Sequence, residues 1–132
     1  MIYLLDTHAL IWSIINPDKL SKNARQIIED QKNTILVSSI SFWEISLKYS
    51  LQKMQLNDIM PEQFPDLAKE IGFDLIPLMP EEVSGYHQLR GNWHKDPFDK
   101  MLIWQAMQRK IPLISKDENI AKYVSEGLKV VW

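Results

Sequence analysis

Four acidic residues of this 132-residue chain fall where carboxylates can do chemistry. Asp6 directly follows the apolar run Ile2–Leu5. Glu44 comes early in a helical segment after the β-branched run Thr34–Val37. Asp99 lies in the first turn of a helix that Pro97 can open. Asp117 comes three residues after Ile114. The sequence around Asp6, Glu44 and Asp99 is apolar enough to be buried, and a buried carboxylate without a partner costs several kcal/mol. Converging carboxylates would also repel one another. A divalent cation resolves both problems, and oxygen-only donors suit magnesium or manganese. Such a site can hydrolyse a phosphodiester. One ion would lower the pKa of a water, and a second, about 3.5–4 Å away, would stabilise the leaving oxygen. Whether one or two ions bind is left open by the spacing. With 17 acidic residues in the chain, any one of the four could instead be a helix cap or an ion-pair member; it is their conjunction that points to a metal site.

The elements that must position these acids follow from the hydrophobic pattern. Strands are expected at Ile2–Leu5, Thr34–Val37, Phe73–Ile76, Pro112–Ile114 and Lys129–Val131. Helices are expected at Thr7–Ile15, from an N-cap at Ser21 to about Gln31, from a Ser38 or Ser39 cap to about Lys53, at Met60–Ile71 before Gly72, from Pro80 to about Leu89, from Pro97 to about Arg109, and at Asp117–Val124. Short apolar strands alternating with helices predict one α/β domain over residues 1–132, with a mainly parallel sheet. Ligands of such sheets bind beyond the carboxyl ends of the strands, where Asp6 and Asp117 are expected. Crossovers of the usual hand would open the helices bearing Glu44 and Asp99 on the same edge.

Composition narrows the function classes. Without cysteine there is no disulfide scaffold, cysteine zinc site or thiol catalysis, which fits a reducing cytosol and a cytoplasmic location. No apolar run is long enough for a membrane span, and the N-terminus does not read as a signal peptide. The net charge of −2 counts mildly against binding nucleic acid by charge alone, so RNA affinity would need local lysines, bound metal or a partner.

Leu4-Leu5-Asp6-Thr7-His8-Ala9-Leu10, Ser38-Ser39-Ile40-Ser41-Phe42-Trp43-Glu44-Ile45, His94-Lys95-Asp96-Pro97-Phe98-Asp99-Lys100-Met101-Leu102-Ile103 and Leu113-Ile114-Ser115-Lys116-Asp117 resemble, in order and spacing, the four signature blocks of PIN-domain proteins, in particular the VapC-like toxins of prokaryotic toxin–antitoxin pairs. The resemblance implies a three-layer α/β/α fold and a magnesium- or manganese-dependent endoribonuclease. It carries the acidic, metal-binding roles to Asp6, Glu44, Asp99 and Asp117. It carries hydroxyl roles, ordering water or a carboxylate, to Thr7 and Ser115. It implies an RNA substrate, a small antitoxin partner and a homodimer or toxin–antitoxin hetero-oligomer, with no membrane role. Lys100 stands where the family often has arginine, and Trp104 where it often has a small residue.

Secondary candidates surround the acids. His94 and Asp96 could position substrate or a water, although Asp96 could simply cap the helix after it. His8 is expected to be a packed first-turn residue. Lys48, Lys95, Lys100 and Lys116 could face RNA phosphates, although each could equally lie on a solvated face. Trp12, Trp43 and Trp104 are expected in the core or at subunit contacts, and Trp93 is the better base-stacking candidate. Two other readings compete: a catalytically idle PIN scaffold that acts by binding, and a magnesium phosphatase or phosphoryl acceptor. His8 stands where the phosphatase would want a second aspartate, and Leu5 where a receiver domain would want an acid.

Overall fold

A computed structural model describes all of residues 1–132. Five parallel strands, β1 (Ile2–Leu5), β2 (Thr34–Ser38), β3 (Asp74–Ile76), β4 (Leu113–Ile114) and β5 (Val130–Val131), form one sheet in the order β3-β2-β1-β4-β5. The connections run through α1 (Thr7–Ile15), α2 (Lys22–Glu29), α3 (Ser39–Ser50), α4 (Phe64–Ile71), α5 (Pro80–Gly85), α6 (Pro97–Arg109) and α7 (Glu118–Ala121).

Side chains alternate across each strand, and the two resulting faces carry separate cores. Tyr3, Leu5, Ile35, Val37 and Ile114 join Leu10 of α1, Ala24 of α2 and Phe64 of α4 in one cluster. Leu4 and Leu113 join Leu102 and Ile103 of α6 and Ile120 of α7 in the other. The expected three-layer α/β/α arrangement is therefore present. Burying each of these large aliphatic side chains stabilises the fold by about 1.5–3 kcal/mol. β1 is central and bears apolar residues on both faces, as parallel interior strands do. No helix is long and apolar enough to cross a membrane.

Several elements are shorter than the sequence predicts. The Met60–Ile71 segment is a 3-10 turn, Pro61–Gln63, followed by α4. Pro65 has no N–H to donate to the carbonyl of Pro61, so a continuous α-helix lacks that bond. α3 stops at Ser50 rather than near Lys53, because Gln52 adopts a left-handed conformation (φ 57°). α2 ends at Glu29, with Asp30 in extended conformation. The Pro80–Leu89 and Asp117–Val124 segments each turn from α into 3-10 geometry, at Tyr86 and Lys122.

The strand order places a topological switch point between β1 and β4. From β1 the chain moves outward to β2 and β3, then returns to the other side of β1 as β4. Crevices beyond the strand ends at such points are the usual binding places of open α/β sheets. Asp6 and Ser115 lie there, each immediately after its strand.

Candidate metal centre

Three of the four acids are placed by helix starts. Asp6 is the N-cap of α1, and its Oδ1 accepts the Ala9 N–H at 2.8 Å. Asp117 is the N-cap of α7, its Oδ1 accepting the Asn119 and Ile120 N–H groups at 2.7 and 3.1 Å. Asp96 caps α6 with Oδ1, and Pro97 at the next position sets Asp99 in the first turn. Glu44 does no capping. It sits within α3, held at the strand ends by the buried neighbours Ser41 and Thr7. The Thr7 hydroxyl donates to Glu44 Oε1 at 2.5 Å and lies 3.0 Å from Ser41 Oγ. Capping thus explains part of the roles of Asp6, Asp96 and Asp117 without exhausting them: Asp117 uses Oδ1 for the helix and turns Oδ2 toward His94.

His94 joins two of the acids. Its Nε2 lies 3.0 Å from Asp99 Oδ2 and 3.0 Å from Asp117 Oδ2. These three donor atoms lie within 4.8 Å of one another, the spacing of a possible ion site. The tautomer argues against imidazole as a ligand, however. Nδ1 accepts the Asp96 N–H at 3.1 Å, so the ring proton resides on Nε2 and points at the carboxylates. His94 therefore acts as a hydrogen-bond donor, and the donors left for a cation are carboxylate oxygens. The loop that carries His94 is anchored by Trp93, packed edge-on against Tyr123 with centroids 5.0 Å apart. Gly91 makes this possible: its φ is +95°, and a Cβ there would lie 2.2 Å from the Trp93 ring.

Electrostatics separate the acids. Asp99 is 7% exposed. Burial, then the charges of Glu44, Asp6, Asp96 and Asp117, push its pKa up to about 8. Burial likewise raises the pKa of Asp6, against hydrogen bonds from Ser115 and the Ala9 N–H. Burial also opposes ionisation of Asp117, but the N–H groups of Ile120 and Asn119 and the contact with His94 hold its pKa below the usual value. The charge is therefore carried by a pocket whose members hinder one another's ionisation.

Glu44 is treated differently. It is 1% exposed, and the Lys48 ammonium, one turn along α3, contacts its Oε2. The same ammonium lies 3.0 Å from Asp96 Oδ2. Despite partial burial, these contacts raise the pKa of Lys48 and lower that of Asp96.

With His94 set aside, Asp99 and Asp117 remain of the group at ion spacing, and the charge of Asp6 acts on Asp99. Their oxygens are the hard donors a divalent cation would take, and no lysine or arginine pairs with any of the three. A cleft of about 440 Å3 opens beside Asp6 and Asp117, lined also by His8, Trp12, Lys116 and Asn119. Asp6, Glu44, Asp99, Thr7, Ser115, His94 and Asp96 thus gather around one place, with Asp117 at its open side.

Other expected contacts fall elsewhere. Lys48 is engaged by two carboxylates, and Lys100 Nζ lies 3.3 Å from Asn92 Oδ1. Lys95 and Lys116 are exposed, Lys116 lying 6.0 Å over the Trp12 ring at the cleft. His8 is exposed rather than packed, its ring 5.6 Å from Trp12. Trp104 is buried, and its indole N–H donates to the Glu82 carbonyl at 2.8 Å. Trp43, expected in the core or at a subunit contact, is 60% exposed and so is not core. Sequence reasoning missed Ser41, whose serine-rich setting looked like capping alone.

A central parallel sheet with a carboxylate cluster at its switch point defines a class, and the chain belongs to the PIN domain family, whose profile matches residues 3–125. Among curated proteins it is similar to Ribonuclease VapC22 of Mycobacterium tuberculosis, with 24% identity over 98% of this chain and 97% of the relative. Among solved structures it shares its fold with VapBC2 of Rickettsia felis bound to a promoter DNA fragment (TM-score 0.67, 19% identity, 99% and 98% of the two chains). It also shares it with DNA-bound VapBC of Salmonella typhimurium (TM-score 0.69, 16% identity, 99% and 97%).

Proposed function

We propose that this protein is a magnesium- or manganese-dependent endoribonuclease of the VapC type, kept silent by a small antitoxin protein in the cytoplasm. The carrying observation is Asp99: a buried acid among four other carboxylates, facing no cationic side chain. Similarity to a named ribonuclease along nearly the full length supports the substrate class, and VapBC complexes of the same fold support the antitoxin.

In this reading Asp6, Asp99 and Asp117 hold the ion, with Glu44 completing the acidic wall. The bound cation supplies Lewis acidity for hydrolysis of the phosphodiester. The chain's own residues do the rest. His94 donates its Nε2–H and fixes the carboxylates of Asp117 and Asp99 relative to each other. Ser115 bonds Asp6, and its Oγ accepts the Asp117 N–H at 3.1 Å, tying the two sides of the switch point together. Thr7 and Ser41 orient Glu44. Lys116, which lines the cleft, and Lys95, exposed beside His94 in the chain, are the lysines available to RNA phosphates. Exposed Trp43, Leu47, Leu51 and Met60 form an apolar surface suited to the antitoxin or a second subunit.

The test is cleavage of RNA by the purified chain with Mn2+ or Mg2+, and again after chelation. Metal-dependent turnover that Asp99→Asn abolishes supports the reading. Turnover that survives chelator, or none at all with antitoxin excluded, favours another hydrolase or the idle scaffold.

A further inference from the structure

One side of the acidic pocket already holds a cation supplied by the chain. Lys48 reaches back along α3 to Glu44 Oε2 and across to Asp96 Oδ2, the latter at 3.0 Å, and so links α3 to the cap of α6. Its ammonium lies 5.7 Å from the centroid of the Phe98 ring, and its side chain is 24% exposed. An exposed lysine–glutamate pair one helical turn apart contributes little. Here the glutamate is 1% exposed, where an ionised carboxylate needs a partner. The other oxygen of Glu44 is taken by Thr7, and the other oxygen of Asp96 caps α6. Glu44 and Asp96 are thus satisfied by the chain itself, whereas Asp6 and Asp99 have no lysine or arginine partner.

We propose that Lys48 occupies the place a second metal ion would take: its ammonium bridges Glu44 and Asp96 and leaves a centre for one divalent cation on Asp6, Asp99 and Asp117. This rests on the metal-dependent reading above and adds a stoichiometry to it. Lys48 is a positioning residue in this account. It holds Glu44 as a wall of the pocket and keeps it from acting as a ligand. A lysine suits the task because a compact ammonium on a flexible stem can sit between two carboxylates as a point charge.

The experiment counts Mn2+ on the full chain after chelator treatment, by calorimetric titration with free Mn2+ read in parallel by electron paramagnetic resonance. The expected count is one Mn2+ per chain for the parent and for Lys48→Arg, and two for Lys48→Met, which frees Glu44 and Asp96 with an uncharged side chain of similar length. Two ions on the parent overturn the proposal and leave the metal-dependent reading standing, as does a folded Lys48→Met that still binds one. If Lys48→Met does not fold, the parent count decides alone. No ion on the parent removes the metal-dependent reading, and the proposal with it.

Discussion

Two acids of this protein are about equally buried and have opposite surroundings. Glu82, 9% exposed, meets the Arg109 guanidinium through both oxygens, at 3.1 and 3.2 Å, and Gln105 approaches it as well. Burial would raise its pKa, but the Arg109 fork, the Met79 N–H and Gln105 hold it below the usual glutamate value. Asp99, 7% exposed, has only an imidazole N–H nearby and four carboxylates around it, and its pKa rises to about 8. The first acid joins α5 to α6 and is satisfied within the fold. The second has no lysine or arginine partner within the fold. Burial alone does not separate a structural acid from a functional one; the presence of an internal cation does. Glu44 stands between them, buried at the site but paired with Lys48.

The largest way to sharpen that contrast is Asp99→Asn. RNA cleavage should fall at least about a hundredfold, the scale seen when one preorganised electrostatic group is removed from a site. Without metal, the same variant should melt at or above the parent's temperature, because an amide needs neither a bound proton nor a charge to sit among the carboxylates. A clear loss of metal-free stability would put Asp99 among the structural acids.

The pH dependence of the metal-free protein comes next. Asp99 rises from 3.8 to about 8 on folding. Between those values the native state keeps a proton that the unfolded chain has released. Stability should therefore fall as pH rises through that window, by up to about 1.4 kcal/mol per pH unit from Asp99 alone, and Asp6, whose pKa is also raised, adds to the fall. The groups with lowered pKa, Asp96, Asp117 and Glu82, act below about pH 4, where stability falls with acid instead. Denaturant midpoints across pH 4–9 in chelator should trace this decline, and saturating Mn2+ should flatten it. A rise between pH 5 and 8 in chelator contradicts the account.

The structural side of the comparison has its own variant. Arg109→Met leaves Glu82 buried and unpaired, and should destabilise the fold by about 2–3 kcal/mol, somewhat less than a fully buried pair because Arg109 is partly exposed. Mn2+ affinity should stay within about twofold, since the pair does not touch the acids at the switch point. The smallest expected effect is that of Thr7→Val, which strips Glu44 of its hydroxyl donor at similar volume. A loss of about 1–2 kcal/mol in chemical denaturation is expected.

Much of this contrast was legible in the sequence on the functional side and little on the structural side. Asp6, Glu44, Asp99 and Asp117 stand out because each follows a strand or opens a helix, and strand–helix alternation puts such places on one sheet edge. The bounds of α6 were legible for a similar local reason, Pro97 at its start and basic residues at its end. The Glu82–Arg109 pair was not, because its partners lie 27 residues apart and each alone looks like a surface charge. Lys48 misled in the opposite direction. A lysine four residues after a glutamate reads as a solvated pair or a phosphate contact, and only the packing of α3 against α6 brings Asp96 to it. The tautomer of His94 depends on a single backbone N–H, which no residue pattern encodes. Early ends of α2 and α3 arise at Asp30, whose Oδ1 accepts the Lys32 N–H at 2.9 Å in a turn that falls within the expected helix, and at Gln52, a residue type without strong turn preference.

If a divalent cation completes the negative pocket around Asp99, metal must stabilise the fold through that residue. Thermal melts of the parent and Asp99→Asn at pH 8, each in chelator and in excess Mn2+, decide this. Mn2+ at about a hundred times its dissociation constant should raise the parent's melting temperature by roughly 5 °C or more, and that of the variant by much less. Equal shifts in the two proteins, or none in the parent, would contradict it.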